Sequence, residues 1–208
     1  MKYLLKIFIC TSLFLCATSS KAQVTAVQFA LVHNPLTKLF DCFLYIEEGN
    51  ASTMKERVQF NAQISLIVPT SSDVVIEKTY MPLIDNQTFK GNQPIKWTIT
   101  SKLVSPQIAP GIDLYGITPS LAPAGFYNRL LEGEVVKLFS LNVTGDNLDK
   151  SKVRIFDNEM DPKSYELGMQ NGDFSNGFTI GGYYQTYKGN KNLGLAEILS
   201  VDKRNKNK

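Results

Sequence analysis

Side chains that usually carry chemistry are scarce in this chain, which has one histidine, one tryptophan and three cysteines in 208 residues. His33 would have to serve any Ser-His-Asp or Cys-His arrangement, and a centre held by several histidines is excluded. Its place beside Asn34-Pro35, at the end of an apolar run, predicts a turn or surface role instead. Cys10 and Cys16 fall in an apolar N-terminal run that reads as a cleaved leader, so a mature chain keeps only Cys42. That excludes an internal disulfide and a cysteine-held zinc. Between Phe40 and Leu44 on an apolar strand face, the remaining thiol is expected to be buried and inert. Also missing is a bilayer-spanning run, since the apolar stretch at 7–17 is far too short.

The N-terminal stretch is built like an export leader. Lys2 and Lys6 give a positive start, residues 7–17 an apolar centre, and Ser20-Lys21-Ala22 small side chains at −3 and −1, which predicts cleavage before Gln23. Bulky Ile9 and Leu15 precede Cys10 and Cys16, so a lipoprotein signal does not fit. The chain divides into a leader at 1–22, one domain at 23–201 and a basic disordered tail at 202–208. The expected location is the cell surface, the extracellular space or the periplasm. Loss of Lys2, Lys6 and Lys21 lowers the basic residues from 22 to 19, equal to the 19 acidic ones. Lys203, Arg204, Lys206 and Lys208 crowd the tail, which reads as solvated, with surface anchoring as the alternative. Nothing in this balance suits nucleic acid.

Two-residue periodicity is what the chain has in quantity. Over residues 57–68, Val58, Phe60, Ala62, Ile64, Leu66 and Val68 fall on one side, with Arg57, Gln59, Asn61, Gln63 and Ser65 on the other. That is a half-buried strand with an amide-rich outer face. Similar strands are predicted at 25–33, 39–47, 73–81, 95–100, 134–143, 153–156 and 178–180. Residues 193–201 read as a last strand or a short helix. Four prolines and three glycines break the pattern over 105–131, which reads as a long functional loop holding a short strand at 113–117. Residues 168–190 combine six glycines, three asparagines and five aromatics, suited to tight turns. With no convincing amphipathic helix between strands, the fold class is all-β: a single-domain β-sandwich or jelly roll of about nine strands.

No catalytic residue is assigned. Glu47, Glu48, Asp113, Glu132 and Glu134 could supply a glycosidase-type carboxylate pair, but nothing in their spacing brings two together. Asp157, Glu159 and Asp161 have calcium-loop spacing, yet Pro162 and Gly168 stand where an EF-hand needs Gly and Glu. They are a calcium candidate in an irregular loop, or a solvated acidic turn. Trp97 points with Ile95 and Ile99, toward the core or as a sugar platform. For binding, Gln59, Asn61 and Gln63 offer amides for sugar hydroxyls, while Phe43, Tyr45, Tyr183, Tyr184 and Tyr187 offer rings for stacking. The same uncharged faces suit strand addition or stacking by a second copy or another surface protein. An ordinary wet sheet face is the plain alternative.

Two stretches, Val58-Gln-Phe-Asn-Ala-Gln-Ile-Ser-Leu66 and Gly133-Glu-Val-Val-Lys-Leu-Phe-Ser-Leu-Asn-Val143, resemble cohesin-like domains within the carbohydrate-binding β-sandwich group. The resemblance spans most of 24–190. It implies a flattened barrel of about nine strands that binds proteins or glycans without enzymatic activity. The Gly168–Gly182 stretch with Gln185–Asn190 is similar to small secreted Bacteroidetes proteins, some of them like a fibril protein of Saprospira-type gliding bacteria. The C-terminus does not look like a type IX sorting domain. The function expected is an exported, non-enzymatic protein acting by self-assembly or adhesion, as a fibril subunit, with a glycan-binding module as the alternative.

Overall fold

The alternating residues form ten strands in a computed structural model that describes residues 23–80, 96–119, 127, 130–194 and 197–198. The leader, the tail and residues 120–126 and 128–129 of the predicted loop lie outside the described residues. In chain order the strands are β1 (Ala26–His33), β2 (Phe40–Glu48), β3 (Gln59–Pro69), β4 (Asp73–Thr79) and β5 (Trp97–Val104). Then come β6 (Ile112–Pro119), β7 (Val135–Thr144), β8 (Arg154–Ile155), β9 (Gly177–Ile180) and β10 (Tyr183–Asn190). The architecture is all-β, a nearly barrel-shaped sheet of sandwich or jelly-roll type, as the periodicity predicts.

Hydrogen bonds run in the order β4-β7-β2-β1-β10-β9-β3-β6-β5, with β8 paired to β3 beyond β9. Among these pairings only β1 with β10 is parallel. The sheet curls until its end strands approach, and Lys102 of β5 reaches within 3.9 Å of Asp73 of β4. Inward residues fill the interior: Phe29, Leu44, Ile64, Leu66, Tyr115, Ile117, Phe139, Leu141 and Phe178 form one core. Trp97 belongs to it, its ring 5.2 Å from Phe139, so the core role is the correct one. Cys42 is buried there as a free thiol, and burial raises its pKa.

The exterior carries two further apolar layers. Residues 156–176 fold back over β3, β6 and β5, where Phe156, Met169 and Phe174 pack on Ile67, Leu103 and Leu114. Leu193 and Ile198 pack over Ala30, Val32, Phe43 and Val135 on the other side. Because of these covers, β2 and β6 are buried on both faces. Two-sided burial explains the main miss in the pattern. The segment read as a loop with a short strand holds an eight-residue central strand, β6, whose Asp113–Ile117 stretch is entirely buried and so shows no alternation. The last strand is β10, and the described Glu197 and Ile198 are helical.

A second correction concerns β3. Its pairing with β9 shifts register between Gln59 and Asn61, a bulge that reverses the facing of the residues before it. Gln59 turns into the core and Phe60 turns out, 39 % exposed. From Ala62 to Val68 the predicted inner row is correct.

Candidate functional site: the open end of the Gly181–Tyr184 hairpin

β9 and β10 meet in a two-residue turn, Gly181-Gly182, with φ of 65° and 82°. Both values are left-handed, as a tight hairpin of type I′ requires, and glycine alone adopts them at no cost. The turn is pinned from two directions. Gly181 N–H donates to the Val58 carbonyl at 2.8 Å, and the buried Gln185 side chain accepts from Ile180 N–H at 2.8 Å while donating to the carbonyls of Ile180 and Val24. A Cβ on Gly181 would sit 3.0 Å from the Glu56 backbone, so the hairpin presses against the loop before β3.

That loop is a reciprocal cap. Glu56 N–H donates to Thr53 Oγ1 at 3.3 Å, and Glu56 Oε2 accepts from the N–H groups of Thr53 and Ser52 at 3.0 and 2.9 Å. Thr53-Met-Lys-Glu56 has the Thr-x-x-Glu spacing of a capping box, and its last two residues lie within the 3-10 turn Lys55–Arg57. Bonding of the charged form by the Thr53 N–H, then the Ser52 N–H, lowers the Glu56 pKa.

Tyr183 and Tyr184 follow the turn, 60 % and 71 % exposed. Tyr183 lines a crevice of about 330 Å³ with Gln23, Thr53, Lys55, Glu56 and Gly181. Tyr184 lies over Gly177, where a Cβ would meet its hydroxyl at 2.9 Å. In register, Tyr184 pairs with Thr179 and Thr179 with Asn61, while a Cβ on Gly182 would lie 3.9 Å from the outward Phe60 ring. The hairpin end thus offers a concave polar wall with one ring, and beside it two more rings with a threonine and an asparagine. Such a combination holds hydroxyl-rich rings by stacking and hydrogen bonds.

The other predicted binding residues are engaged elsewhere. Phe43 is buried under Ile198, and Gln59 is buried with its Oε1 accepting from the Tyr127 hydroxyl, so neither reaches a ligand. Gln63 donates to the carbonyls of Asp173 and Ser175 at 2.8 and 3.1 Å. Tyr45 is capped by Lys191, whose Nζ stands 3.6 Å from the ring centroid. Tyr187 packs 5.5 Å from Phe29, and its hydroxyl donates to Asn190. Of the eight, Asn61, Tyr183 and Tyr184 remain at the surface. Phe60, Thr179 and the Gln23–Glu56 wall complete the site. The capping box could have located that wall from sequence, while nothing local announces the bulge that turns Phe60 outward.

The calcium candidates are also committed. Both carboxylate oxygens of Asp161 accept from Arg154 at 2.6 Å, and Asp157 Oδ1 accepts from Glu159 and Met160 N–H groups. An arginine fork therefore stands where a cation would need those oxygens. Among the possible acid-pair members, Asp113 is buried, bonded to Thr70 and Ser105, and Glu132 and Glu134 accept backbone N–H groups. His33 sits at the end of β1, its Nε2 accepting from the Lys150 ammonium at 3.0 Å. Burial first, then Lys150, lowers its pKa.

No family model, curated protein or solved structure matches this chain.

Proposed function

We propose that this protein is an exported, non-enzymatic adhesion module that binds glycan chains at the open end of the β9–β10 hairpin. The observation carrying this reading is the exposure of Tyr183 and Tyr184 on a turn pinned by Gln185 and Val58. Rings held on a rigid turn lose little entropy on binding, so stacking contributes nearly in full. The cohesin-like character of the strand pattern supports a binding rather than a catalytic role, and the leader-like N-terminus supports export. Purified protein titrated into a panel of neutral and acidic polysaccharides by calorimetry tests the reading. Binding should weaken about tenfold in Tyr184→Ala and in Tyr183→Ala. Failure of every polysaccharide to bind the unaltered protein would remove it.

Self-assembly is the second reading, supported by a different surface. Tyr165 and Leu167 are 81 % and 64 % exposed, and Leu167 is joined to exposed Ile108 by an N–H···O bond of 3.0 Å. A patch of this kind suits contact between copies, and the balanced mature charge does not oppose it. Sedimentation should then shift with concentration, and Leu167→Asp should abolish the shift. A monomer at every concentration would reject assembly.

A further inference from the structure

We infer that Gln23 is a modification site, converted to pyroglutamate once the leader is removed. The inference rests on cleavage before Gln23 and is independent of what the crevice binds. Val24 is buried with its carbonyl accepting from Gln185, and Thr25 N–H donates to Glu48 O at 3.0 Å. Gly49 (φ 87°) lies so close to the Gln23 carbonyl that a Cβ there would come within 2.0 Å of the oxygen. The chain is thus fixed up to the Gln23 carbonyl, and Gln23 itself stands half-buried at the crevice with Thr53, Lys55, Glu56 and Tyr183.

Cleavage after Ala22 gives Gln23 an α-amine, whose ordinary pKa of about 7.7–8.0 leaves part of it neutral at neutral pH. The neutral nitrogen attacks Cδ of the same side chain. A bond from the α-nitrogen to Cδ forms, the bond from Cδ to Nε2 breaks, and Nε2 leaves as ammonia with a proton from the attacking nitrogen. No oxidant or co-reactant is needed. The product is a five-membered lactam without charge. It removes a cation from a wall that already carries Lys55, and leaves a flat, neutral amide ring near Tyr183. The mature N-terminus becomes a closed part of the crevice rather than a charged end.

The test is export of the full chain through a Sec pathway, followed by incubation near neutral pH and mass spectrometry of the intact protein and its N-terminal peptide. The expected peptide begins at residue 23, lacks a reactive amine and is about 17 Da lighter than its glutamine form, the mass of the ammonia lost. Gln23→Ser, exported in parallel, should keep its amine and its full mass. A peptide that begins at Gln23 and retains the amine would overturn the modification while sparing the cleavage site. A peptide beginning elsewhere would overturn both.

Discussion

Two halves of one strand meet different fates on the outside of this sheet. Along β3, Gln63, Ser65 and Ile67 lie beneath the folded-back segment 156–176, whereas Phe60 and Asn61 stand open beside the hairpin. The covered half is held by specific bonds. Asn176 accepts from Ser65 N–H at 2.8 Å and donates to the Phe156 carbonyl at 2.5 Å, and Phe156 N–H returns a bond to Ser65 O. An amide-rich outer row is therefore not one surface with one purpose. Here its larger part bonds the chain to itself, and only the end displaced by a bulge is free to meet something else.

The covered half should break first and hardest. Phe174 is buried in the outer apolar layer, and Phe174→Ala should cost about 4 kcal/mol, from lost transfer energy and the cavity left behind. Urea unfolding would read this as a lower midpoint at unchanged slope. A loss under about 1 kcal/mol would mean that the segment is a loose cover. Asn176→Ala comes next, at about 2 kcal/mol, because it leaves the buried Ser65 N–H without its partner and the Phe156 carbonyl with only the longer bond from Asn190 at 3.4 Å. Phe174 makes no bond to the hairpin, whereas Asn176 also donates to the Tyr187 hydroxyl of β10 at 3.3 Å, so polysaccharide binding at saturating stability should survive Phe174→Ala in full. If binding fell with stability, the two halves would be one cooperative surface.

How much of this contrast could be read from residues alone depends on what each residue reports. Alternation identifies strands whose outer row is polar or small even where a second layer covers it: β1 with Gln28 and Ala30, β3 beyond the bulge with Gln63 and Ser65, and β7 with Ser140 and Asn142 opposite inward Phe139, Leu141 and Val143. It fails where the covered outer row is itself apolar, as with Ile112 and Leu114 of β6 beneath Phe156, Met169 and Phe174, because no polar row is then left to mark the period. It fails also at Gln59 and Phe60. Their types give no hint that a bulge will send the amide inward and the ring outward, since that choice is made by pairing with β9, more than a hundred residues away. Tyr183 and Tyr184 were legible as candidates because Gly181-Gly182 announces the turn that exposes them. Tyr45 and Tyr187 looked equivalent, and only their tertiary partners Lys191, Phe29 and Asn190 separate them.

On the open half, the turn itself is the next point of attack. Gly181→Ala forces a side chain into φ 65° and within 3.0 Å of the Glu56 backbone. The expected loss is about 1–2 kcal/mol from left-handed strain and the displaced loop, smaller than at the covered half. Its signature is spatial: amide shifts should spread from the turn into Ser52, Thr53 and Glu56, and the crevice beside Tyr183 should change shape. Gly189→Ala, at φ 84° with nothing near its Cβ, carries the strain without the collision and separates the two causes. Equal effects from both substitutions would show that contact with the Glu56 loop contributes nothing.

The smallest effect belongs to the crevice wall and appears only with pH. Glu56 has a lowered pKa in the folded chain, because first the Thr53 N–H and then the Ser52 N–H bond its charged form. Folding therefore favours the deprotonated carboxyl. Its contribution is complete above the unfolded glutamate value of about 4.3, and is lost as pH falls from there through the lower folded value. The carboxylate is solvent-exposed, so the consequence is local rather than global. Amide exchange of Ser52 and Thr53, corrected for intrinsic rate, should lose protection between about pH 5 and pH 2, while that of Gly181 changes less. Glu56→Gln should start unprotected and stay so. Protection that holds flat across the range would mean that the loop is fixed by the hairpin pressing on it, and that the cap contributes nothing to the shape of the wall.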